Sequence, residues 1–283
     1  MTMIDKLKKG KHYLQVCKHD YVARRAKKKN DANLSKCFRD YLNNNLSHDY
    51  NRILLSCFAK SGSTYLSEIF SSMKNYERSS LTNFHDRREQ ELDPYSLLYS
   101  HANMKNYVSQ LHVRYHLATK NYINFFNLKP IVLVRNIFDV VISFKEHLLN
   151  ESVKVPQAYV PDDYIGWDEI KQLDFIVEMI VPWYFNFFVS WKDSHKENKA
   201  IFITYEELNK DVFSVVKKIN DYHNLDLSDV EINNAIIKAN ENKASIRKNV
   251  AVIGRGEILS QDLKNKIIAY SKFYNTDFGL MGL

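Results

Sequence analysis

The chain has 283 residues, of which 45% are hydrophobic and 26% charged, and its mean hydropathy is −0.41. This composition is typical of a globular protein with one large domain or two small ones, whose core needs no disulfide or metal to stabilise it. The net charge of +7 and the isoelectric point of about 9.0 indicate an anionic partner, and the three cysteines, at no metal-like spacing, predict free thiols in a reducing compartment.

Basic residues are concentrated near the N-terminus, where residues 1–30 hold ten lysines and arginines against Asp5 and Asp20. We predict that residues 1–49 form a basic helical extension packed on the following domain. Peripheral contact with an anionic lipid or polymer surface is the alternative. No stretch approaches the ~18 uninterrupted apolar residues of a membrane span, and the first residues lack the apolar core of a signal peptide. We therefore expect a cytoplasmic protein with no membrane span.

From residue 50 onward, continuous apolar runs alternate with helical patterns. The helical pattern after the first run extends from about Thr64 to Met73. Strands are predicted at Arg52–Phe58, Tyr107–Val113, Pro130–Asn136 and in the sequence KAIFIT at 199–204. Buried strands alternating with helices predict a single α/β domain over residues 50–283, with a central parallel β-sheet flanked by helices. In such sheets ligands bind beyond the carboxyl ends of the strands.

The sequence AKSGST, residues 59–64, follows the first predicted strand and has the composition of a phosphate-binding loop. Successive backbone N–H groups, the hydroxyls of Ser63 and Thr64 and the start of a helix all favour a phosphate, and Lys60 adds a positive charge. The loop differs from the P-loop of nucleotide hydrolases, because no glycine precedes the lysine and the lysine stands before Gly62. We therefore expect an anion site of another type.

A second candidate anion site follows the strand VLVR, which ends at Arg135. The planar fork of N–H donors on an arginine suits a phosphate. Ser143 lies eight residues later, on the helix that follows, and can add a hydroxyl. Two separated phosphate sites predict a nucleotide phosphorylated at two positions, in place of a triphosphate.

Both motifs resemble those of sulfotransferases that use 3′-phosphoadenosine 5′-phosphosulfate (PAPS). FAKSGSTYL resembles the 5′-phosphosulfate loop of this family, and VLVRNIFDVVISFKEHL resembles its 3′-phosphate motif, in the same order and at a similar separation. Tyr205–Leu208 resembles the family's Y-E-D-L, and SIRKN followed by GRGE resembles its C-terminal R-K-G-x-x-G element. The resemblance covers about residues 50–260 and implies the P-loop NTPase-like sulfotransferase fold.

The chain departs from the family pattern at several positions. Ala59 and Ile137 stand where the family has proline, and Asn249 stands where the C-terminal element has glycine. The spacing after the basic pair of that element is also longer. Tyr65 takes the place of a tryptophan that stacks on adenine, an exchange that keeps an aromatic face.

The resemblance implies a sulfotransferase that takes PAPS as co-substrate, releases adenosine 3′,5′-bisphosphate (PAP) and needs no metal. It also implies that Lys60 stabilises the leaving group and that His112, at the end of a short strand, is the general base. His116, Glu89 and Glu91 are the alternatives for the base. The residues implied in nucleotide binding are Lys60, Ser61, Gly62, Ser63, Thr64, Tyr65, Arg135, Ser143, Tyr205, Arg247 and Lys248.

The acceptor is predicted to be a hydroxyl or amine of a small molecule, carbohydrate or lipid, with a glycan or glycolipid precursor favoured and no nucleic acid as partner. Lys145 and His147 are assigned to a solvated helix face, and the aromatic run Trp183–Trp191 to the core. Two other functions stay open. One is an ATP-dependent small-molecule kinase with a degenerate P-loop, although the G-K-[ST] tripeptide is absent. The other is a polyanion-binding protein that uses the basic N-terminus.

Overall fold

The computed structural model describes residues 50–82, 89–196, 200–242 and 252–283. The basic extension predicted for residues 1–49 lies outside these ranges. Arg247 and Lys248, which the resemblance implies in nucleotide binding, also lie outside them. Those three assignments therefore stay predictions.

A five-stranded sheet forms the centre of the molecule, with the strand order β2-β3-β1-β4-β5. Its strands are β1 Arg52–Cys57, β2 Tyr76–Arg78, β3 Asn106–Leu111, β4 Lys129–Val134 and β5 Ile201–Thr204. Every neighbouring pair is parallel. Parallel strands covered on both faces read as continuous apolar runs, which is why RILLSC is buried at all six positions. The predicted α/β fold with a central parallel sheet is confirmed.

Helices follow the strands and cover the sheet. The α-helices are α1 Ser63–Ser71, α2 Pro94–Asn103, α3 Leu117–Phe125, α4 Ile137–Asn150, α5 Glu169–Phe175, α6 Val181–Lys196, α7 Tyr205–Lys210, α8 Val212–His223, α9 Asp229–Glu241 and α10 Gln261–Ser271. Shorter 3₁₀ segments occupy Asp162–Gly166, Arg255–Ile258 and Gly279–Met281, and a π-helical turn occupies Ile176–Ile180. Several helices begin at side-chain caps; Ser228 and Glu231, for example, form a capping box at the start of α9.

The two faces of the sheet pack against different helices. On one face, Ile53 and Leu133 join a buried cluster with residues of α1, α8 and α9. On the other face lies α6, where Phe188 contacts the ring of Phe202 in β5 and Trp191 donates a hydrogen bond to the carbonyl of Val113. The assignment of the aromatic run Trp183–Trp191 to the core is confirmed for the six aromatic side chains of this run, which are buried.

The continuous helical stretch Glu169–Lys192 is long and apolar enough to cross a membrane by length and composition, and its most apolar 18-residue window has a mean hydropathy of 1.3. Half of its most apolar window is buried inside the protein. A buried core helix of a globular protein passes the same test, so this single stretch is weak evidence for a membrane span.

The carboxyl ends of four strands meet at one edge of the sheet. In sheet order, β3 leads to His112, β1 to Lys60, β4 to Arg135 and β5 to Tyr205. The chain order reverses around β1, which lies between β3 and β4. Such a reversal opens a crevice at the carboxyl ends of the neighbouring strands.

Candidate active site

A cleft of about 600 Å³ lies at this edge of the sheet. Its volume is within the range of small-molecule sites, about 300–1,000 Å³. Of the residues assigned from the sequence, those that line the cleft are Lys60, Gly62, Ser63, Thr64, Tyr65, His112, Arg135, Ser143 and Tyr205. The structure thus brings together all the assigned residues that it describes, except Ser61.

Ser61 shapes the loop after β1 from the inside. Its side chain is fully buried, and its hydroxyl donates a hydrogen bond to the carbonyl of Phe58 at 2.7 Å. The residues on either side adopt left-handed backbone conformations, with φ of 66° at Lys60 and 80° at Gly62. A side chain at Gly62 would also collide with the Tyr205 ring, since a Cβ atom there would lie 2.9 Å from Cδ2.

The N-terminus of α1 opens into the cleft without a side-chain cap. Gly62 is the capping residue, no side chain bonds to the free N–H groups, and the first turn holds no acidic residue. An uncapped helix start with unbonded N–H groups attracts an anion. Ser63 lies in this first turn, and its hydroxyl accepts a hydrogen bond from the Gln110 amide at 2.9 Å. The loop therefore suits a phosphate or sulfate group.

Arg135 joins the two motifs of the sequence. Its guanidinium donates to the carbonyl of Lys60 at 2.9 Å and to the carbonyl of Val252 at 3.2 Å. It also lies 4.0 Å above the centre of the Tyr205 ring. Burial lowers the pKa of Arg135, an effect opposed by Tyr205 and by the charge of Asp139. The Lys60 loop and the end of β4 are therefore held at a fixed separation.

One donor of this guanidinium lacks a partner. The side chain of Arg135 is 4% exposed, and its Nε–H has no hydrogen-bond acceptor within the described residues. A buried unsatisfied donor costs about 1–3 kcal/mol, and the positive charge of this guanidinium favours an anion in the cleft that Arg135 lines. Ser143, also buried and on the next helix, lines the same cleft.

Asp139 ties the C-terminal segment to this site. Its carboxylate accepts hydrogen bonds from the backbone N–H groups of Gly254 at 2.9 Å and Gly256 at 2.8 Å. Gly256 packs so tightly on α4 that a Cβ atom there would lie 2.3 Å from Cβ of Phe138. Asp139 lies 3.7 Å from Arg135 and so also supports its charge. These contacts place the carbonyl of Val252 on Arg135.

His112 follows β3 and is oriented by backbone groups. Its Nδ1 lies 2.8 Å from the carbonyl oxygen of Cys57, and its own backbone N–H donates to the Gln90 side chain at 2.7 Å. Because a carbonyl only accepts, Nδ1 carries the proton and Nε2 is left with a free lone pair. Burial lowers the pKa of His112, the bond to Cys57 opposes that change, and the charge of His147 adds to it. A neutral imidazole with a free Nε2 is the form that a general base requires.

The three alternative bases lie elsewhere. Glu89, Glu91 and His116 line an adjoining pocket of about 250 Å³. Glu89 forms an ion pair with Arg114, and His116 accepts a hydrogen bond from the backbone of Ala118 at the start of α3. Among the four candidates, His112 is the one that shares a cleft with Lys60.

Lys60 contacts an acidic residue that sequence reasoning missed. Its Nζ lies 3.1 Å from Oε1 of Glu151, and Oε2 of Glu151 lies 3.2 Å from Nδ1 of His147. Burial by itself would raise the pKa of Glu151, but Lys60 and His147 hold it below its usual value. The assignment of His147 to a solvated face was wrong, since His147 lines the cleft. Its spacing of four residues from Ser143, one helical turn, was the available signal.

The segment after α4 forms another wall of the cleft. Lys154, Val155, Pro156 and Gln157 line it. Gln157 is 7% exposed, and neither the nitrogen nor the oxygen of its amide has a hydrogen-bond partner within the described residues. Nothing in the sequence distinguished this glutamine. The described ranges contain no group of three or more His, Cys, Asp or Glu side chains that could hold a metal.

A family model described as "Sulfotransferase domain" matches residues 50–251. The chain belongs to the sulfotransferase family. Among curated relatives, this sulfotransferase is 30% identical over 112 residues to Sulfotransferase 6B1 of Danio rerio, covering 38% of this chain and 35% of the relative. It is 28% identical over 106 residues to Sulfotransferase 6B1 of Mus musculus, covering 37% and 32%. The chain thus spans about a third of the length of the curated relatives it matches.

Solved structures share the fold of this sulfotransferase. Mouse sulfotransferase SULT7A1 complexed with PAP matches with a TM-score of 0.61 and 17% identity, over 81% of this chain and 86% of that one. Retinol dehydratase in a complex with retinol and PAP matches with a TM-score of 0.53 and 15% identity, over 83% and 84%. Retinol dehydratase with androsterone and PAP matches with a TM-score of 0.51 and 15% identity, over 80% and 82%. At these identities the likeness shows the fold alone.

Proposed function

We propose that the protein is a PAPS-dependent sulfotransferase that moves a sulfuryl group to a hydroxyl or amine. One observation carries the proposal. Arg135 is buried, its Nε–H has no acceptor within the described residues, and it is bonded to the carbonyl of Lys60, so two candidate anion-binding elements line one cleft at a fixed separation. A nucleotide with phosphate groups at two separate positions suits such a site, and the presence of PAP in the related structures supports this choice.

The cleft offers a partner for each part of PAPS. The uncapped start of α1, with Ser63 and Thr64, is proposed to bind the 5′ end, and Arg135 with Ser143 the 3′-phosphate. Tyr65 lines the cleft and is proposed to stack on the adenine. Its hydroxyl is oriented by a hydrogen bond of 3.0 Å to the Asn240 side chain.

Sulfuryl transfer has a loose transition state, in which positioning and charge neutralisation supply most of the catalysis. PAPS supplies the sulfuryl group and a phosphate leaving group. We propose that Nε2 of His112 accepts the proton of the acceptor hydroxyl while Nδ1 stays bonded to Cys57. The ammonium of Lys60 is proposed to neutralise the negative charge that grows on the departing oxygen.

The acceptor is proposed to bind beside His112, where Phe144, Val155 and Gln157 line the cleft. This wall combines apolar surface with one buried amide, for which the described part of the chain provides no hydrogen-bond partner. It suits a molecule with an apolar part and a second polar group. Small molecules, carbohydrates and lipids include such acceptors, and the glycan or glycolipid favoured by the sequence remains a prediction.

If Gln157 is kept for an acceptor, it costs stability in the free enzyme. Gln157→Met removes two unsatisfied polar atoms at nearly constant volume, so we expect it to raise the melting temperature by about 2–4 °C. Gln172→Met is the matched control. Gln172 is equally buried, but its amide donates to the carbonyls of Tyr164 and Trp167, so its replacement should lower the melting temperature. Thermal unfolding followed by circular dichroism measures both. A lower melting temperature for Gln157→Met would mean that its amide is satisfied.

The kinase alternative is tested by comparing nucleotides. We expect isothermal titration calorimetry to show micromolar or tighter binding of PAP, and binding of ATP with magnesium at least tenfold weaker, because the two anion sites are separated. A preference for ATP with magnesium would overturn the proposed function. Deleting residues 1–30 tests the polyanion-binding alternative in the same assay, since a nucleotide site in the cleft should keep its affinity for PAP.

A further inference from the structure

The ion pair between Lys60 and Glu151 affects how a nucleotide would bind to the cleft and dissociate from it. Lys60 lines the cleft and pairs with Glu151, and the two side chains are 16% and 20% exposed. Glu151 is the residue that ends α4, where the carbonyl groups of the helix already give a negative potential. A carboxylate in that place repels any phosphate that approaches Lys60.

Glu151 and an anionic ligand therefore compete for the same ammonium group. One of the three N–H donors of Lys60 is directed at Glu151, at 3.1 Å, which leaves fewer donors for the 5′ end of a nucleotide. A bound anion would also be repelled by the carboxylate, so binding of the anion and the contact with Glu151 oppose each other.

The second carboxylate oxygen of Glu151 lowers the free-energy cost of this exchange. Oε2 lies 3.2 Å from Nδ1 of His147, so the carboxylate keeps this imidazole as a neighbour when Lys60 turns away. A buried carboxylate that lost its only partner would be costly. Here one partner is exchanged while the other is kept.

We propose that Glu151 is a positioning residue for Lys60: it holds the ammonium in the cleft between turnovers and competes with the nucleotide for it, which weakens binding of the product PAP and speeds its release. The proposal rests on the proposed function, because it requires a nucleotide at Lys60. It gives a role to the Lys60–Glu151–His147 chain of contacts that the transfer step itself does not use. Product release limits turnover in many enzymes, so such a competitor can raise the rate.

The test looks for tighter binding of PAP, because a variant that only disrupts the structure would not bind PAP more tightly. Glu151→Gln keeps the size and the hydrogen-bonding oxygen but removes the charge, and we expect it to bind PAP about tenfold tighter. Release of PAP, followed by stopped-flow displacement of a fluorescent PAP analogue, should slow by a similar factor. His147→Gln should act in the opposite direction, since Glu151 then loses the imidazole beside Oε2 and interacts more strongly with Lys60, and PAP should bind several-fold weaker.

The control is Glu169→Gln. Glu169 pairs with Lys145, also on α4, but neither residue lines the cleft, so affinity for PAP should stay unchanged. Unchanged or weaker binding of PAP by Glu151→Gln, at an unaltered melting temperature, overturns the inference. If Glu151→Gln melts early, the His147→Gln result decides alone: tighter or equal binding overturns the inference. Failure of the wild-type protein to bind PAP overturns the proposed function, and this inference with it.

Discussion

Replacing His112 with glutamine is expected to lower kcat for sulfuryl transfer by about 10²–10⁴-fold, the contribution of a positioned general base. Glutamine can still donate to the carbonyl of Cys57, so the loop geometry and the affinity for PAP should change little. The measurement is PAP released from PAPS with the best acceptor found in a panel of phenols, alcohols and sugars. A kcat within threefold of the wild-type value would remove His112 from the reaction.

His116→Gln is the matched control, because His116 lies in the adjoining pocket and caps α3. It should leave kcat nearly unchanged. The pH profile adds an independent readout. The pKa of His112 is lowered by burial, so the neutral, active form persists below its usual value of about 6.5. As the pH falls through this lowered pKa, the imidazole is protonated and kcat/KM should decline tenfold per pH unit. The His112→Gln variant should show no such decline.

Arg135→Ala is expected to weaken the binding of PAP by at least about 100-fold, because charge-assisted hydrogen bonds contribute about 1.5–3 kcal/mol each. The loss of affinity should exceed the loss from removing a positive charge alone, because the guanidinium also donates hydrogen bonds to the carbonyls of Lys60 and Val252. Calorimetry with PAP measures this directly. Arg135→Lys should recover only part of the affinity, because a lysine cannot bridge two carbonyls and a phosphate in one plane.

Arg114→Ala controls for the loss of a positive charge near the same edge of the sheet. Arg114 pairs with Glu89 and lies outside the cleft, so PAP should bind this variant as well as the wild type. Equal losses in Arg114→Ala and Arg135→Ala would mean that overall charge, in place of a specific phosphate contact, determines the affinity.

Much of the sheet and of the candidate site was predictable from the sequence. A strand buried on both faces is apolar along most of its length, as β4 is in the five buried residues PIVLV that follow Lys129, so its place in a parallel sheet can be read directly. The loops that follow such strands must then meet at one edge. That rule places Lys60, Arg135 and Tyr205 at the same edge of the sheet.

The acceptor side of the cleft could not be predicted in the same way. Glu151 lies 91 residues from Lys60 along the chain, and their contact depends on how α4 ends. Gln157 belongs to a segment that has neither periodicity nor a motif, and only its burial without partners distinguishes it. Contacts that depend on how a helix ends or on an irregular segment follow no spacing rule, so they become visible only in the folded chain.

The hydrogen bonds that Gly254 and Gly256 donate to Asp139 affect the order in which the newly made chain folds. All five strands precede residue 205, and α8 and α9, which complete the buried cluster on one face of the sheet, end at Glu241. Val252 follows them in the chain, and its carbonyl reaches Arg135 only after its segment has been made and has docked. The core of a growing polypeptide can therefore assemble before this wall of the cleft is in place.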